Sequence, residues 1–428
     1  MNYEQAIAYV DKHIGLGGEP GLDRMRDLLD LMGRPHEGYP VIHIAGTNGK
    51  TSTSRLATLV LVAHGLMTGT YTSPHLQHIE ERLSVNGRVS TSEEFALAVS
   101  DVAAFADLRE NAGEIPNTYF ELTTAAAFAF FADQAVSATV LEVGLGGRLD
   151  ATNVVEAEVC VVTSIGTDHT EFLGEDLGGI AAEKLAIAGP SSILVTGPLP
   201  EEAMEQANQK ARELGIQHRR FDWDYGIEDY ERGVGGWRLT IKGAEATYED
   251  VFLPLHGRFQ LTNLAIAVAA CEALVGRKLD TEAIRDAAAV ATAPGRMEPL
   301  ASSPFVMVDG AHNADGVRTL VESLQEEYPT TKWHVLLGVM GEKNVDLIIE
   351  LLGPIARSFI TTAVDSERAL PALQLAEKVT QILPGVPVLA SETVEFGLDM
   401  ARAEAGGDGA VLVTGSLYMV GEVRGLLT

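Results

Sequence analysis

Short apolar runs that stop at a glycine punctuate this chain, and helical patterns fill the gaps between them. PVIHIAG (40–46), SATVLEVG (137–144), EVCVVTSIG (158–166) and SSILVTG (191–197) are such runs. They lack the in–out alternation of a strand with one wet face, so each reads as a strand covered on both sides. After the first, Leu56, Leu59, Val60, Ala63 and Leu66 recur at steps of three and four, the period of an amphipathic helix. LTNLAIAVAACEALVG (261–276) reads as a buried helix. This alternation predicts a parallel sheet with helices on both faces.

A second series follows. FVMVDG, HVLLGVM, SFITTA, VPVLA and AVLVTGS, near residues 305, 334, 358, 386 and 410, are strands with helices between them. They predict a smaller doubly wound sheet. The polar stretch 222–255, with Gly233, Gly235 and Gly236, predicts an antiparallel excursion on the first domain. ATAPGRMEP (291–299) carries two prolines and a glycine and is expected to be the interdomain hinge. The expected fold class is therefore α/β. A P-loop-containing parallel sheet domain over 1–293 is followed by a Rossmann-like doubly wound domain over 299–428.

A formal net charge of −29 opposes loose binding to nucleic acid or an anionic membrane. It leaves room for an anionic substrate held by local positive groups. Such acidity is also compatible with a salty habitat. Cys160 and Cys271 sit in apolar runs and read as small buried residues of a reducing compartment. The amphipathic start, MNYEQAIAYVDKHIG, has no apolar signal core, and no run is long enough to span a bilayer. A cytoplasmic location is expected.

The strongest local signal is Gly46-Thr47-Asn48-Gly49-Lys50-Thr51-Ser52, set between a strand and a helix. Glycines let backbone N–H groups close around phosphate oxygens, and the helix start adds its positive dipole end. Lys50 can reach terminal phosphates, and the Thr51 hydroxyl can bind Mg²⁺. The strict G-x-x-x-x-G-K-[ST] pattern fails because Ile44 stands where its first glycine belongs.

Three further segments fall at strand ends, where ligands of open α/β sheets collect: 72–76, 141–150 and 163–169. Glu142 ends a largely apolar run, and a carboxylate buried there calls for a metal ion or another cation. An exposed strand end is the alternative. His169 could ligate a second metal, although a lone histidine is more often structural. Lys184, among small apolar residues, more often reads as a snorkelling surface lysine.

In order along the chain, GLDRMRDLLDLMG, AGTNGKTS, TSPHLQHIEERLSVNG, YFELTTAAAF, LEVGLGGRLDATNVV, VTSIGTDHTEFLG, AEK, APGRME, VDGAHNADG and TGSLYMVGEVR resemble the folylpolyglutamate synthase/dihydrofolate synthase family of the Mur-ligase superfamily. The resemblance implies that Gly46, Thr47, Asn48, Gly49, Lys50, Thr51 and Ser52 hold ATP. It implies Thr51, Ser73, Glu142 and His169 as magnesium ligands, and Lys184 as a lysine carboxylated by CO₂ to touch metal. Asn263, Arg296 and Asp309 would contact the nucleotide, with His312 near the reacting phosphate. Phe120, Glu121, Asp150 and Ser416 would bind substrate. Lys50, Lys184 and His312 would be the catalytic set. Departures exist. Gly49-Lys50-Thr51-Ser52 replaces the usual G-K-G-S, leaving Thr51 and Ser52 open for the metal-side role. Glu183-Lys184-Leu185-Ala186-Ile187 replaces E-K-A-G-I, and His312-Asn313-Ala314 replaces H-N-P.

The implied reaction joins L-glutamate to a folate, or to dihydropteroate, through an acyl phosphate. The implied partners are small molecules acting on a monomer. Closure about Pro294-Gly295 would exclude water from the intermediate. Two other readings compete. A cell-wall ligase would carry an additional N-terminal UDP-binding domain, for which the position of Gly46 leaves no room. A P-loop regulatory protein without ligase chemistry would be expected to lack a catalytic residue.

Overall fold

The computed structural model describes the chain except residues 17, 169–173, 175 and 367. It divides into two compact units. The first comprises Met1–Leu253 and Leu261–Ala291, and the second comprises Pro254–Gln260 and Thr292–Thr428.

The first unit is built on an eight-stranded sheet. Its strands are β1 (Val41–Ala45), β2 (Thr68–Tyr71), β3 (Leu83–Val85), β4 (Arg88–Val89), β5 (Ala138–Glu142), β6 (Val159–Val162), β7 (Ile193–Thr196) and β8 (His218–Arg220). The spatial order is β4-β3-β2-β5-β1-β6-β7-β8. Only the β3 and β4 pairings are antiparallel. Strand β1 therefore sits inside the sheet, paired with β5 through Ile44↔Glu142 and with β6 through Ala45↔Val162. The chain leaves β1 toward β2 on one side and later adds β6 on the other. That reversal opens a crevice at the carboxyl end of β1, the place where ligands of such sheets bind.

Every residue of β1 and β5 is buried. The helices that cover them supply a core of Leu56, Phe95, Val99, Phe128, Phe131 and Ile180, among others. Residues 222–255 form the expected excursion: β9 (Gly226–Gly233), β10 (Gly236–Lys242) and β11 (Thr247–Leu253) make a separate antiparallel sheet. Glu272, on the Phe259–Val275 helix, is fully buried and accepts hydrogen bonds from the Tyr248 hydroxyl and the Ala244 amide. It thereby pins the turn between β10 and β11.

The second unit holds a six-stranded sheet of β12 (Glu298–Ser302), β13 (Phe305–Asp309), β14 (Trp333–Leu337), β15 (Ala356–Thr361), β16 (Val388–Ala390) and β17 (Ala410–Thr414). Its order is β12-β13-β17-β14-β15-β16, with β12 alone antiparallel. Trp333, Leu337, Phe359 and Leu412 are fully buried in its core. Part of the segment expected to be a loose hinge is thus an edge strand, since Glu298 already pairs with Val308. The short piece Pro254–Gln260 groups with this unit as well: His256 Nδ1 and the Gly257 amide both bond Glu327. Among the described residues, no helix is long and apolar enough to cross a membrane. Cys160 and Cys271 are buried free thiols.

Candidate active site

Strand β1 ends at Ala45 and the Lys50–Ala63 helix starts five residues later. The loop between them cannot carry side chains at its two glycines. A Cβ on Gly46 (φ 151°) would lie 2.0 Å from Thr163 Oγ1, and one on Gly49 (φ 86°) would lie 2.7 Å from Asn263 Oδ1. The chain after β6 braces this loop. Thr163 Oγ1 donates to Asn48 O (2.6 Å), the Asn48 amide donates to Ser164 Oγ (2.9 Å) and the Thr47 amide donates to Ser164 O (2.9 Å). The sequence marked 163–169 as a ligand segment. Its described part instead shapes the phosphate loop. His169 lies outside the described residues.

Two ammonium groups meet on one carbonyl. Lys50 Nζ donates to Gly46 O (2.9 Å) and Thr47 O (3.3 Å), and Lys184 Nζ donates to Gly46 O (3.1 Å). Lys184 is 5% exposed, so it does not snorkel. Burial, reinforced by the charge of Lys50, pulls its amine down from 10.5 to about 7.

Glu142 closes β5 one strand away, and it is 1% exposed. Its Oε1 accepts from Thr51 Oγ1 (2.8 Å) and its Oε2 from the Ser73 amide (3.2 Å). Ser73 Oγ is buried without a hydrogen-bond partner among the described residues. A buried carboxylate, a hydroxyl on it and an orphaned second hydroxyl form a hard oxygen donor set that fits Mg²⁺. Among the described residues, no group of three His, Cys, Asp or Glu could hold a metal, so these hydroxyls matter. Of the two hydroxyls left open by the sequence, that of Thr51 reaches Glu142; Ser52 is buried in the helix.

The residues matched to substrate binding show internal engagements. Glu121 caps its own helix through the Thr118 amide and pairs with Arg24 at 2.9 Å. Asp150 Oδ2 accepts from the amides of Gly144 and Leu145, and Oδ1 accepts from the amide and hydroxyl of Thr152. Asp150 thus holds the loop that follows Glu142. Burial pushes its carboxyl up. The rim of the Phe120 ring packs against that loop, since a Cβ on Gly144 would meet its Cζ at 2.5 Å. No sequence pattern singled out His43, within β1. It is fully buried with Nε2 2.8 Å from Thr152 Oγ1. Nor was Arg82 assigned a role. Its Nε donates to His75 Nδ1 (3.1 Å), and burial pulls His75 down to about 4. Both residues lie in the TSPHLQHIEERLSVNG segment, which was the available signal.

In the second unit, Arg296, Asp309 and His312 gather around Gly310. A Cβ there would meet Arg296 Nη1 at 2.3 Å, and His312 Nδ1 lies 2.8 Å from Gly310 O. Asp309 accepts from the Ala311 amide (2.8 Å) and the Met297 amide (2.9 Å). The second bond supports Met297 in a left-handed conformation (φ 45°), directly beside Arg296. Burial pushes the Asp309 carboxyl up, and the Arg296 charge opposes this. Ser416 is buried at the N-terminus of the Leu417–Leu427 helix.

Comparison with known proteins shows the family to which the chain belongs. Residues 44–271 match the Mur ligase middle domain, and residues 295–417 match the Mur ligase glutamate ligase domain. The dihydrofolate synthase/folylpolyglutamate synthase of Mycobacterium tuberculosis is 35% identical, over 95% of this chain and 90% of that one. The structure of Mycobacterium tuberculosis folylpolyglutamate synthase complexed with ADP superposes with a TM-score of 0.95 at 35% identity, covering 99% of this chain and 98% of that one. Escherichia coli FolC in complex with DHPP and ADP superposes with a TM-score of 0.87 at 30% identity, covering 100% and 97%. With the phosphate loop, the buried acid and the two matched domains in one chain, this protein belongs to the dihydrofolate synthase/folylpolyglutamate synthase family of Mur-type ligases.

Proposed function

We propose that the chain joins L-glutamate to a folate carboxylate by way of an acyl phosphate formed from ATP, and that dihydropteroate is a second acceptor. The observation that carries this reading is the convergence of Thr51 Oγ1 and the Ser73 amide on buried Glu142, beside the phosphate loop. The dual name of the Mycobacterium tuberculosis relative and the DHPP in the Escherichia coli complex support the second acceptor.

The loop amides of 46–52 and the start of the Lys50–Ala63 helix would hold the phosphates. Lys50 would leave the carbonyls of Gly46 and Thr47 and pair with the γ-phosphate. Thr51, Ser73 and Glu142 are the donors that would hold Mg²⁺, which when bound offsets phosphate charge. The resemblance adds Asn263, Arg296 and Asp309 as nucleotide contacts, with His312 near the reacting phosphate and Ser416 among the substrate-binding residues. The substrate carboxylate attacks the γ-phosphorus as ADP leaves. The glutamate amine then attacks the acyl carbon, forming the amide and releasing phosphate.

Lys184 enters as a carbamate. Its amine, neutral for half the molecules near pH 7, forms an N–C bond to CO₂ and releases one proton. The enzyme would work as a cytoplasmic monomer, a location supported by its two unpaired thiols. The test is incubation of purified protein with ATP, labelled glutamate and either tetrahydrofolate or dihydropteroate. One ADP per amide formed is expected. ATP hydrolysis with no labelled amide would replace this reading with that of a nucleotide-binding regulator.

A further inference from the structure

The segment that follows Ser73 is more tightly built than its distance from the phosphate loop demands. Glu81 accepts from the amides of Leu76, Gln77 and His78, folding residues 75–82 into a compact turn. That turn delivers Arg82, 7% exposed, beside the carboxyl end of β2: the Thr72 amide donates to Arg82 O at 3.0 Å. His75 Nδ1 accepts from Arg82 Nε at 3.1 Å, and the guanidinium carbon lies 5.4 Å from the centre of the Tyr119 ring. The guanidinium is therefore anchored at Nε and over the Tyr119 ring.

The two terminal nitrogens are not engaged by the described residues. Among the described residues, neither makes a hydrogen bond or an ion pair. Among the described residues, arginine nitrogens buried without a partner occur at Nε of Arg109, Arg219 and Arg402, but not on Arg82. Its terminal nitrogens thus face space that a ligand or water can occupy. A fixed guanidinium presenting two parallel N–H donors is matched to a carboxylate or a phosphate oxygen pair.

Sheet order decides between them. The strands run β2-β5-β1, spaced by about 4.8 Å. The phosphate loop follows β1, Glu142 closes β5, and Arg82 stands at β2 on the far side of Glu142 from the phosphate loop. In-line transfer places the attacking oxygen on the side of the γ-phosphorus away from ADP. On the ligase reading, Lys50 and the loop amides would serve the phosphates from the β1 side. We propose that the terminal nitrogens of Arg82 bind the carboxylate of the acyl substrate, the group that becomes phosphorylated. This rests on the ligase reading above and names the residue that orients its nucleophile.

The test compares dissociation constants of the full-length protein for a monoglutamyl folate and for the same folate with its reacting carboxyl converted to a carboxamide, both by fluorescence titration. Wild type is expected to favour the acid by about 10- to 100-fold, the size of one charge-assisted contact. Arg82→Gln should bring the two ligands to near equality and leave ATP affinity within about 2-fold. Arg82→Lys, which keeps the charge but loses the fork, should fall between. An acid preference that survives in Arg82→Gln, or a loss confined to ATP, overturns the proposal. So does a variant that only lowers the melting temperature, the mark of a purely structural role. Should Arg82→Gln fail to fold, a wild-type preference in Arg82→Lys overturns it. Wild type that forms no glutamyl product at all sinks the ligase reading and the proposal together. Product with no acid preference sinks the proposal alone.

Discussion

Glu142 shows how a single residue can be readable as important yet unreadable in its contacts. Its apolar run marked it as buried; nothing local marked Thr51, 91 residues earlier, as the hydroxyl that would reach it. If Glu142 helps to hold Mg²⁺, as proposed above, two consequences follow. Glu142→Gln should reduce amide formation by about 100-fold or more. It should also remove the extra thermal stability that Mg²⁺ gives beyond nucleotide alone, about 2.7 kcal/mol at a hundred times the dissociation constant. Melting curves with and without Mg²⁺ check this; an unchanged Mg²⁺ increment in the variant contradicts the assignment. Lys184 carries a different prediction. Its folded value of about 7 lies below the free value of 10.5, so the unfolded chain holds the proton more tightly between them. Stability contributed by this site therefore rises with pH from about 7 to about 10.5. Carbamate formation needs the neutral amine, so activity should fall in CO₂-free buffer, fall further below pH 7, and return on adding bicarbonate. Lys184→Ala should not respond to bicarbonate at all.

At the scale of elements, β1 does two jobs, and only one was legible. Its apolar run and terminal glycine announce a buried strand feeding a phosphate loop. The same run hides His43, whose role depends on Thr152, 109 residues away. Thr152 Oγ1 donates to Asp150 Oδ1 at 2.5 Å, so it must accept from His43 Nε2–H. That tautomer leaves Nδ1 bare, and Nδ1 is buried with no partner among the described residues. A second proton has nowhere to bond, which is why burial pulls this imidazole down to about 3. The unfolded chain takes up a proton below about 6.5 that the native strand refuses. His43 should then cost about 1.4 kcal/mol per pH unit as pH falls from about 6.5 to about 3. Urea titrations across that range would show it. His43→Asn should flatten the slope, and an identical slope in the variant would assign acid sensitivity elsewhere. The strands and helices were legible because burial on both faces writes itself as uninterrupted apolar runs. The polar braces were not. Glu272 beneath the hairpin, Ser164 behind Asn48 and Glu81 under the 75–82 turn each depend on partners that no local pattern specifies.

For the whole molecule, the sequence marked a single hinge at 291–299, yet the chain passes between the two units three times, because Pro254–Gln260 belongs to the second. The signal was missed because that piece is anchored by Glu327, which lies 71 residues from His256. Charge is the other property that belongs to no single part. Thirty-one basic residues face 60 acidic ones, leaving −29. The positive groups proposed for the site, Lys50, Lys184 and Arg82, are buried or half-buried and so are screened little by salt. The surface excess is screened within about 10 Å at 0.1 M salt. Self-repulsion of that excess acts on the compact state more than on the expanded one. The melting temperature should therefore climb by several degrees between about 0.01 M and about 0.5 M NaCl, with most of the gain below about 0.2 M, where the screening length shortens fastest. Uncharged osmolytes at equal osmolality should not reproduce that early rise. Scanning calorimetry across the series decides it. A melting temperature that stays flat or falls with salt would mean that surface ion pairs, which salt weakens, outweigh the net repulsion.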